Sequence, residues 1–357
     1  MTETNSTMLK EQILDLSRQN NIAPLVPWFD DRLELLIKNR VFLPEHDLDL
    51  VAKYILNQLV GYRLQTGAST VVLGMSGGVD SALTASLFKQ ADWRVIGVTM
   101  PIHQAEEETD RGIEACDALG IEHIHKDLTS LYEYTREDFY DVDPELLGDV
   151  SASQRKATKI RQGNIRARLR MITLYNLASK YGGLVASTDN FSELTAGFWT
   201  LHGDVGDVSP IQSLWKSWEV PYLAKTNGVP EATWRAKPTD GLGIDAGDEA
   251  QLGASYLQWD IMLAEIIRKM QEDPSSSVEG LAITMGLHVS SPGFNSDGRD
   301  GVVNVFNSVT SRMGATWFKR MNPVNLSHVF DDRYAAIAQI DKNLFVPSVL
   351  QAKLSFN

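Results

Sequence analysis

The polar and apolar positions of this chain change period along its length. Over residues 1–65 apolar side chains recur three and four apart, in Glu11–Asn20, Trp28–Asn39 and Asp47–Thr66. That spacing puts them on one face of a helix. Pro24, Pro27 and Pro44 punctuate the three stretches. At Thr70–Met75 the pattern becomes a short, continuous, β-branched run, as in a strand buried on both faces. Leu83, Leu87 and the alanines between them return to helical spacing. Arg94–Met100 and Ile121–Asp127 read as two further strands, separated by a helix over Glu106–Leu119 that Gly120 stops. A helix running on through Met171–Tyr181 leads to another short strand at Gly183–Ser187.

Strands alternating with helices over short connections predict an α/β fold, a doubly wound and mostly parallel sheet flanked by helices. Residues 1–65 form a helical extension in this reading, 66–275 the core, and 276–357 a helical and irregular segment packed on it. Ile211–Thr226 and Leu257–Lys269 are predicted helices, whereas Lys237–Gly253 and Ser290–Gly301 are polar, Gly-containing loops. The first of these loops could close over a site. Ligands of such sheets bind at the carboxyl ends of the strands.

Composition narrows the function classes. With 43% hydrophobic and 22% charged residues, the chain is that of a water-soluble globular protein. A net charge of −13 argues against a general nucleic-acid surface. No apolar run of about 18 residues exists, so no membrane span is expected. The N-terminus, MTETNSTMLKEQ, lacks a signal-peptide core. The single cysteine, Cys116, allows no internal disulfide and fits a reducing, cytoplasmic location. Its neighbours Ala115, Ala118 and Leu119 mark it as a buried small hydrophobe. His123 and His125 alternate on a strand with no third ligand close by, which favours a structural role.

Chemistry concentrates at the end of the first strand, in Ser76-Gly77-Gly78-Val79-Asp80-Ser81. Glycines there allow positive φ and close approach of backbone to a ligand. The first N–H groups of the next helix lack partners and carry the positive end of its dipole. Ser76 and Ser81 add hydroxyls, and Asp80, which a bare phosphate would repel, suits Mg2+. No Gly-Lys-Ser/Thr follows, so this is not a Walker A loop. A second anomaly is seven basic residues within 155–170: Arg155, Lys156, Lys159, Arg161, Arg166, Arg168 and Arg170. Arg166 and Arg170 share a helical face, and Arg168 points away from them. Guanidinium forks suit phosphate and carboxylate.

Strand–SGGVDS–helix resembles the pyrophosphate loop of the N-type ATP pyrophosphatases, a Rossmann-like family that adenylates a substrate oxygen and releases pyrophosphate. The later motifs GNIRARLRM, STDNFSELTAGFWTLHGDVGD, PIQSLWK and KPTDGLGIDAGDEAQLG follow in order. Together they resemble the ammonia-dependent NAD synthetases, from about residue 68 to about 262 and more weakly to WFKRMNP. The resemblance implies a carbon–nitrogen ligase. In that family the nicotinate carboxylate of deamido-NAD attacks the α-phosphate of ATP, and ammonia then displaces AMP from the acyl-adenylate to give NAD.

Carried over by motif, Ser76, Gly77, Gly78, Val79, Asp80 and Ser81 hold the ATP phosphates. Asp80 and Glu193 bind Mg2+. Arg170 and Thr188 contact ATP, and Arg168 and Lys319 contact the dinucleotide. Asp207 lies near the nicotinate and ammonia, and Lys216 and Thr239 neutralise phosphate during adenylation. Loop 237–253 is the lid. The family's GDGGxD is shortened here to Gly203-Asp204-Val205-Gly206-Asp207. With Cys116 outside any glutaminase context, free ammonia or ammonia from a separate protein is the expected nitrogen source. A homodimer with the dinucleotide site at the subunit interface is implied, with no nucleic-acid or membrane partner. Another amide-forming adenylating enzyme, or a nucleotide-binding protein without turnover, are the alternatives.

Overall fold

A computed structural model describes residues 3–148, 151–239, 247–287 and 299–321. The extension comprises α1 (Glu3–Leu16), α2 (Pro27–Lys38) and α3 (Glu45–Thr66). Then come β1 (Thr70–Gly74), α4 (Val79–Gln90), β2 (Arg94–Thr99), α5 (Glu106–Leu119) and β3 (Glu122–His125). The chain continues through α6 (Thr129–Asp138), α7 (Ala152–Tyr181), β4 (Leu184–Val185) and α8 (Phe191–Ala196). After these lie α9 (Glu219–Thr226), α10 (Glu231–Trp234), α11 (Asp248–Leu252), α12 (Tyr256–Glu272), α13 (Val278–Thr284) and α14 (Arg299–Ala315).

The four strands form one parallel sheet in the order β3-β2-β1-β4. Alternation along each strand divides the apolar side chains between two layers. Val71, Leu73 and Val95 meet α4 and α5. Val72, Ile96 and Val98 meet Tyr132 of α6 and Met171, Leu174 and Ala178 of α7. The crossovers through α4 and α5 step outward from β1. The next, through α6 and α7, returns on the opposite face to place β4 beside β1. Strand order therefore reverses between β1 and β4, and the carboxyl ends of these two strands open a crevice.

The helical extension shares the main core. Ile13, Phe29, Leu33, Leu36, Ile37 and Leu48 are buried with Trp218, Trp259 and Phe306. Indole N–H groups cross the layers: Trp93 donates to Leu59 O at 3.1 Å and Trp218 to Leu43 O at 2.8 Å. Helix α7 starts earlier than the sequence suggests, because Ser151 and Gln154 form a capping box. The expected helix over 211–226 is helical only from Glu219. Before it, the backbone N–H groups of Trp215, Lys216 and Ser217 are taken by side-chain oxygens of Glu219, Ser192 and Asp260, so the segment is a turn. Of the expected loop 290–301, the last residues belong to α14, and 288–298 lie outside the described residues.

Glu219 is fully enclosed, and burial pushes its carboxyl up to about 8 although Trp215 N–H opposes the shift. Between about pH 4.5 and 8 the unfolded chain loses this proton while the folded chain keeps it, so the group's stabilising contribution declines as pH rises through that window. Glu219→Gln should raise the melting temperature at pH 8.5, by an amount equivalent to roughly 1–3 kcal/mol, and leave it unchanged at pH 4. Equal melting of the two proteins at pH 8.5 would contradict this.

Candidate active site

The loop after β1 is shaped by what lies against it. Gly77 has φ +82°, and a Cβ there would sit 2.0 Å from the carbonyl oxygen of Glu108. A Cβ on Gly112 would lie 2.7 Å from Met75 O. Helix α5 therefore rests on the loop backbone, and neither position has room for a side chain. Gly78 differs from the expectation: its φ is −93° and it is the N-cap of α4. A Cβ on Gly78 would meet only Ser76 Oγ, at 3.3 Å, so its missing side chain leaves the ligand side open. The serine hydroxyls tie the loop. Ser81 Oγ donates to Gly78 O (3.1 Å) and accepts from Ser76 N (3.3 Å), while Ser76 Oγ accepts from Gly78 N (3.2 Å). The first N–H groups of α4 face the same space, which makes an anion cup.

One residue into α4, Asp80 meets the cluster that dominates the cleft. Lys216 Nζ donates to Asp80 Oδ2 and lies 3.4 Å from Glu193 Oε1. Asn190 Nδ2 donates to Asp80 Oδ1 at 2.9 Å, and Asn190 Oδ1 caps α8 by accepting Glu193 N at 3.0 Å. Ser192 Oγ accepts Lys216 N (3.1 Å) and donates to Asp260 Oδ1 (2.5 Å), which fixes the turn carrying the lysine. Burial opposes the charge on Lys216, but Asp80 and Glu193 outweigh it and hold the ammonium above its ordinary value. Burial also lifts the Glu193 carboxyl, with Lys216 opposing and Asp80 reinforcing the rise. A divalent cation beside these oxygens would oppose the rise that burial gives Glu193, so the two carboxyls could also take one.

The opposite wall is mixed. Arg170 Nε donates to Met100 O at 3.1 Å, and burial pulls its guanidinium down to about 10. Lys319 Nζ donates to Gly197 O (2.6 Å) and Trp199 O and sits 5.3 Å from the Trp199 ring. Burial lowers its pKa, with Asp204 opposing. Asp204 Oδ2 accepts Thr200 N at 2.6 Å. Asp189 Oδ2 has no hydrogen-bond donor among the described residues. Burial raises both carboxyls toward the neutral form, Asp189 strongly, with Glu193, Asp204 and Asp80 adding to that rise.

These groups line one cleft of about 400 Å³ at the carboxyl ends of the strands, within the usual size of a small-molecule site. Ser76, Gly77, Gly78, Val79, Asp80, Ser81, Arg170, Thr188, Glu193, Lys216, Thr239 and Lys319 all line it. Arg168 and Asp207 do not. Arg168 is exposed on the far side of α7, where it donates to Leu201 O at 3.3 Å. The Asp207 carboxylate folds back to accept Val185 N (2.8 Å) and Tyr175 O–H (2.9 Å), so it is not beside the reacting groups of this cleft. The carboxyl of the GDVGD stretch that enters the cleft is Asp204.

Sequence reasoning also missed Asp189, Asp248, Gln104 and Arg312, which complete the lining. The signal for Asp189 in the sequence is its place in STDNFSELTAGF, just past a strand's carboxyl end. Thr239 Oγ1 donates to Glu108 Oε1 at 2.8 Å, joining the loop 237–253 to α5. Residues 240–246 of that expected lid lie outside the described residues, and 248–252 form α11. His123 Nε2 and His125 Nδ1 each lie 2.9 Å from Thr99 Oγ1, a structural arrangement. Cys116 is buried, and burial pushes its thiol up to about 12.

A family model described as NAD synthase matches residues 51–285. The NH(3)-dependent NAD(+) synthetase of Alkaliphilus oremlandii is 34% identical over 214 residues, 59% of this chain and 82% of its own. Among solved structures, NMN synthetase from Francisella tularensis aligns with a TM-score of 0.59 at 23% identity, covering 79% of this chain and 98% of its own. An NH3-dependent NAD synthetase from Campylobacter jejuni gives 0.54 at 23% identity, covering 78% of this chain and 99% of its own. At that identity the two structures speak for the shared fold.

The two loop glycines should separate by measurement. Gly77→Ala forces a Cβ into the Glu108 carbonyl and should lower the melting temperature by the equivalent of about 1–3 kcal/mol as well as abolish ATP binding. Gly78→Ala should melt within a few degrees of wild type yet weaken ATP by about tenfold or more, read by calorimetry. Unchanged ATP affinity in Gly78→Ala would remove the loop from the phosphate site.

Proposed function

The chain belongs to the NAD synthase family, and from that premise we infer that it converts deamido-NAD and ammonia to NAD, with cleavage of ATP to AMP and pyrophosphate. The observation that carries this reading is the meeting, in one cleft, of the anion cup after β1 with the Asp80–Lys216–Glu193 cluster. A carboxylate is a poor acyl donor, because its oxygen is a poor leaving group. Its attack on the α-phosphorus breaks the α–β bond and releases pyrophosphate; nitrogen then adds to the acyl carbon, loses a proton and expels AMP. Such a reaction depends mainly on placing and neutralising phosphate charge.

In this reading the N–H groups of loop 76–81 and the dipole of α4 hold the pyrophosphate that leaves. Lys216 and Arg170 bring full positive charge, Thr239 a hydroxyl. Asp80 and Glu193 would hold Mg2+, which when bound neutralises the triphosphate further. Their oxygen donors suit it, and among the described residues no group of three or more acidic, His or Cys side chains makes a separate metal cage. That pattern fits Mg2+, which relies on one or two carboxylates plus substrate phosphates. Lys319 faces the substrate side. Asp189 and Asp204, drawn toward neutrality, oppose an incoming nicotinate carboxylate less than full charges would.

We further propose a homodimer that pairs through the outer face of α7. Arg168, Ile172 and Tyr175 share that face by helical spacing, and Ile172 is 66% exposed. Arg168 and Asp207 then contact deamido-NAD across the interface. The nitrogen source is free ammonia or ammonia delivered by a separate protein, because the raised, buried thiol of Cys116 is unsuited to a glutaminase. We place the enzyme in the cytoplasm; no helix among the described residues is long and apolar enough to cross a membrane.

Purified protein with ATP, Mg2+, deamido-NAD and ammonium should yield NAD and AMP in equal amounts by chromatography. ATP binding without NAD would overturn the substrate assignment. Asp80→Asn and Lys216→Ala should each cut kcat by roughly 10²–10³-fold and lower the melting temperature, because each leaves a buried charge without its partner, and Cys116→Ser should leave ammonia-dependent turnover at wild-type level. Sedimentation should show a dimer; a fully active monomer would refute the interface.

A further inference from the structure

Helices α1 and α2 precede residue 51, where the family match begins, and the turn after α1 meets the residues at the base of loop 237–253. Loop 237–253 supplies Lys237, Thr239, Asp248 and Gln251 to the cleft lining. Its two roots pinch together: Gly247 has φ +122°, and a Cβ there would lie 3.0 Å from Pro238 O. The neck so formed leans on the turn that ends α1. Arg18, Asn21 and Ile22 share a groove with Lys237, Gly247, Glu249 and Ser255.

The contacts across that groove are specific. Arg18 Nη2 lies 3.6 Å from Glu249 Oε2, with both side chains less than one-fifth exposed. Arg18 has φ 60°, uncommon for a residue with a side chain, which a turn adopts only when its surroundings fix it. Gln19 is buried, and its amide is used at both ends. Its Oε1 accepts from Ser255 Oγ at 2.7 Å, and its Nε2 donates to Ala23 O at 2.7 Å. Ser255 is the N-cap of α12 and accepts Gln258 N there, so Gln19 takes the hydroxyl proton that the cap leaves over. On the other root, Arg235 reaches Asp15 at 3.2 Å, an exposed pair that adds little.

From this neck the contacts continue into the catalytic cluster. Glu249 Oε1 accepts Tyr256 N at 3.0 Å. Tyr256 O–H donates to Asp248 Oδ2 at 3.1 Å, and Lys216 Nζ lies 5.5 Å from the Tyr256 ring centroid. We propose that the turn Arg18–Asn21 is a buttress that fixes the neck of loop 237–253 and thereby sets the ATP-side residues Lys237, Thr239 and Asp248. Arg18 and Gln19 are positioning residues for ATP, although neither lines its cleft. This rests on reading that cleft as the ATP site.

The test uses the full-length chain with Mg2+. ATP affinity is read by calorimetry, the Michaelis constants of ATP and deamido-NAD by NAD formation, and folding by thermal melts. Arg18→Ala and Gln19→Leu should each weaken ATP about tenfold, while the KM for deamido-NAD at saturating ATP stays within about twofold. Arg18→Lys should recover most of the loss, and melting should shift by only a few degrees. Wild-type ATP affinity in both Arg18→Ala and Gln19→Leu would overturn the buttress. So would equal losses for both substrates together with a large fall in melting temperature, which is what a merely structural role predicts. A wild-type protein that binds ATP but forms no NAD would defeat the reaction assignment and leave the buttress to be judged on ATP affinity. One that binds no ATP would defeat both.

Discussion

The buried ammonium of Lys216 is the constraint on which the site depends. Taking a charge out of water costs several kcal/mol unless it is paired and hydrogen-bonded. Here Asp80 arrives from α4 and Glu193 from α8, and Asn190 binds Asp80 while capping α8. Asp260 of α12 reaches in through Ser192 and directly to Ser217 N to hold the turn that carries the lysine. Three helices and one turn are thus fixed relative to each other by polar contacts around one cation. Loss of any one partner would leave another charge buried without compensation, which ties the geometry of the fold to that of the site.

The wider cleft follows from the same electrostatics. A chain of net charge −13 must take up polyanionic substrates. It does so by placing six basic side chains, Arg111, Arg170, Lys216, Lys237, Arg312 and Lys319, around a crevice that also holds six carboxyls. Burial shifts the balance, because it draws Asp189, Glu193 and Asp204 toward neutrality while Lys216 keeps its charge. The cleft is therefore more welcoming to phosphate than a count of formal charges implies.

Much of this was legible in the sequence where the signal is local. Strand β1, the SGGVDS loop and α4 follow from residue type and order, since a buried strand, a glycine turn and an amphipathic helix each have a short-range pattern. What escaped depended on partners far away in the chain. The turn at Lys216 looks helical by apolar spacing, and only the side chains of Ser192 and Asp260 reveal why it is not. Asp207 and Asp204 are equivalent candidates on paper. Which one enters the cleft is decided by Val185 N and Tyr175, which claim Asp207. Gly77 and Gly78 look alike too, and are told apart only by α5 lying against the first.

The extension shows how a polar contact can specify rather than stabilise. Exchanging a buried hydrogen-bonded pair for well-packed apolar side chains is often neutral for stability. The pairing of Gln19 with Ser255 therefore says less about how firmly the extension is held than about where it is held. The apolar face of α2 packed on α12, and that of α1 on α2, tolerate small slides and rotations, because dispersion contacts are non-directional. A hydroxyl that already caps α12 and must send its proton to one amide oxygen does not. That difference places the register between extension and core in the hands of a few polar atoms, and those atoms lie at the neck of a loop that lines the cleft.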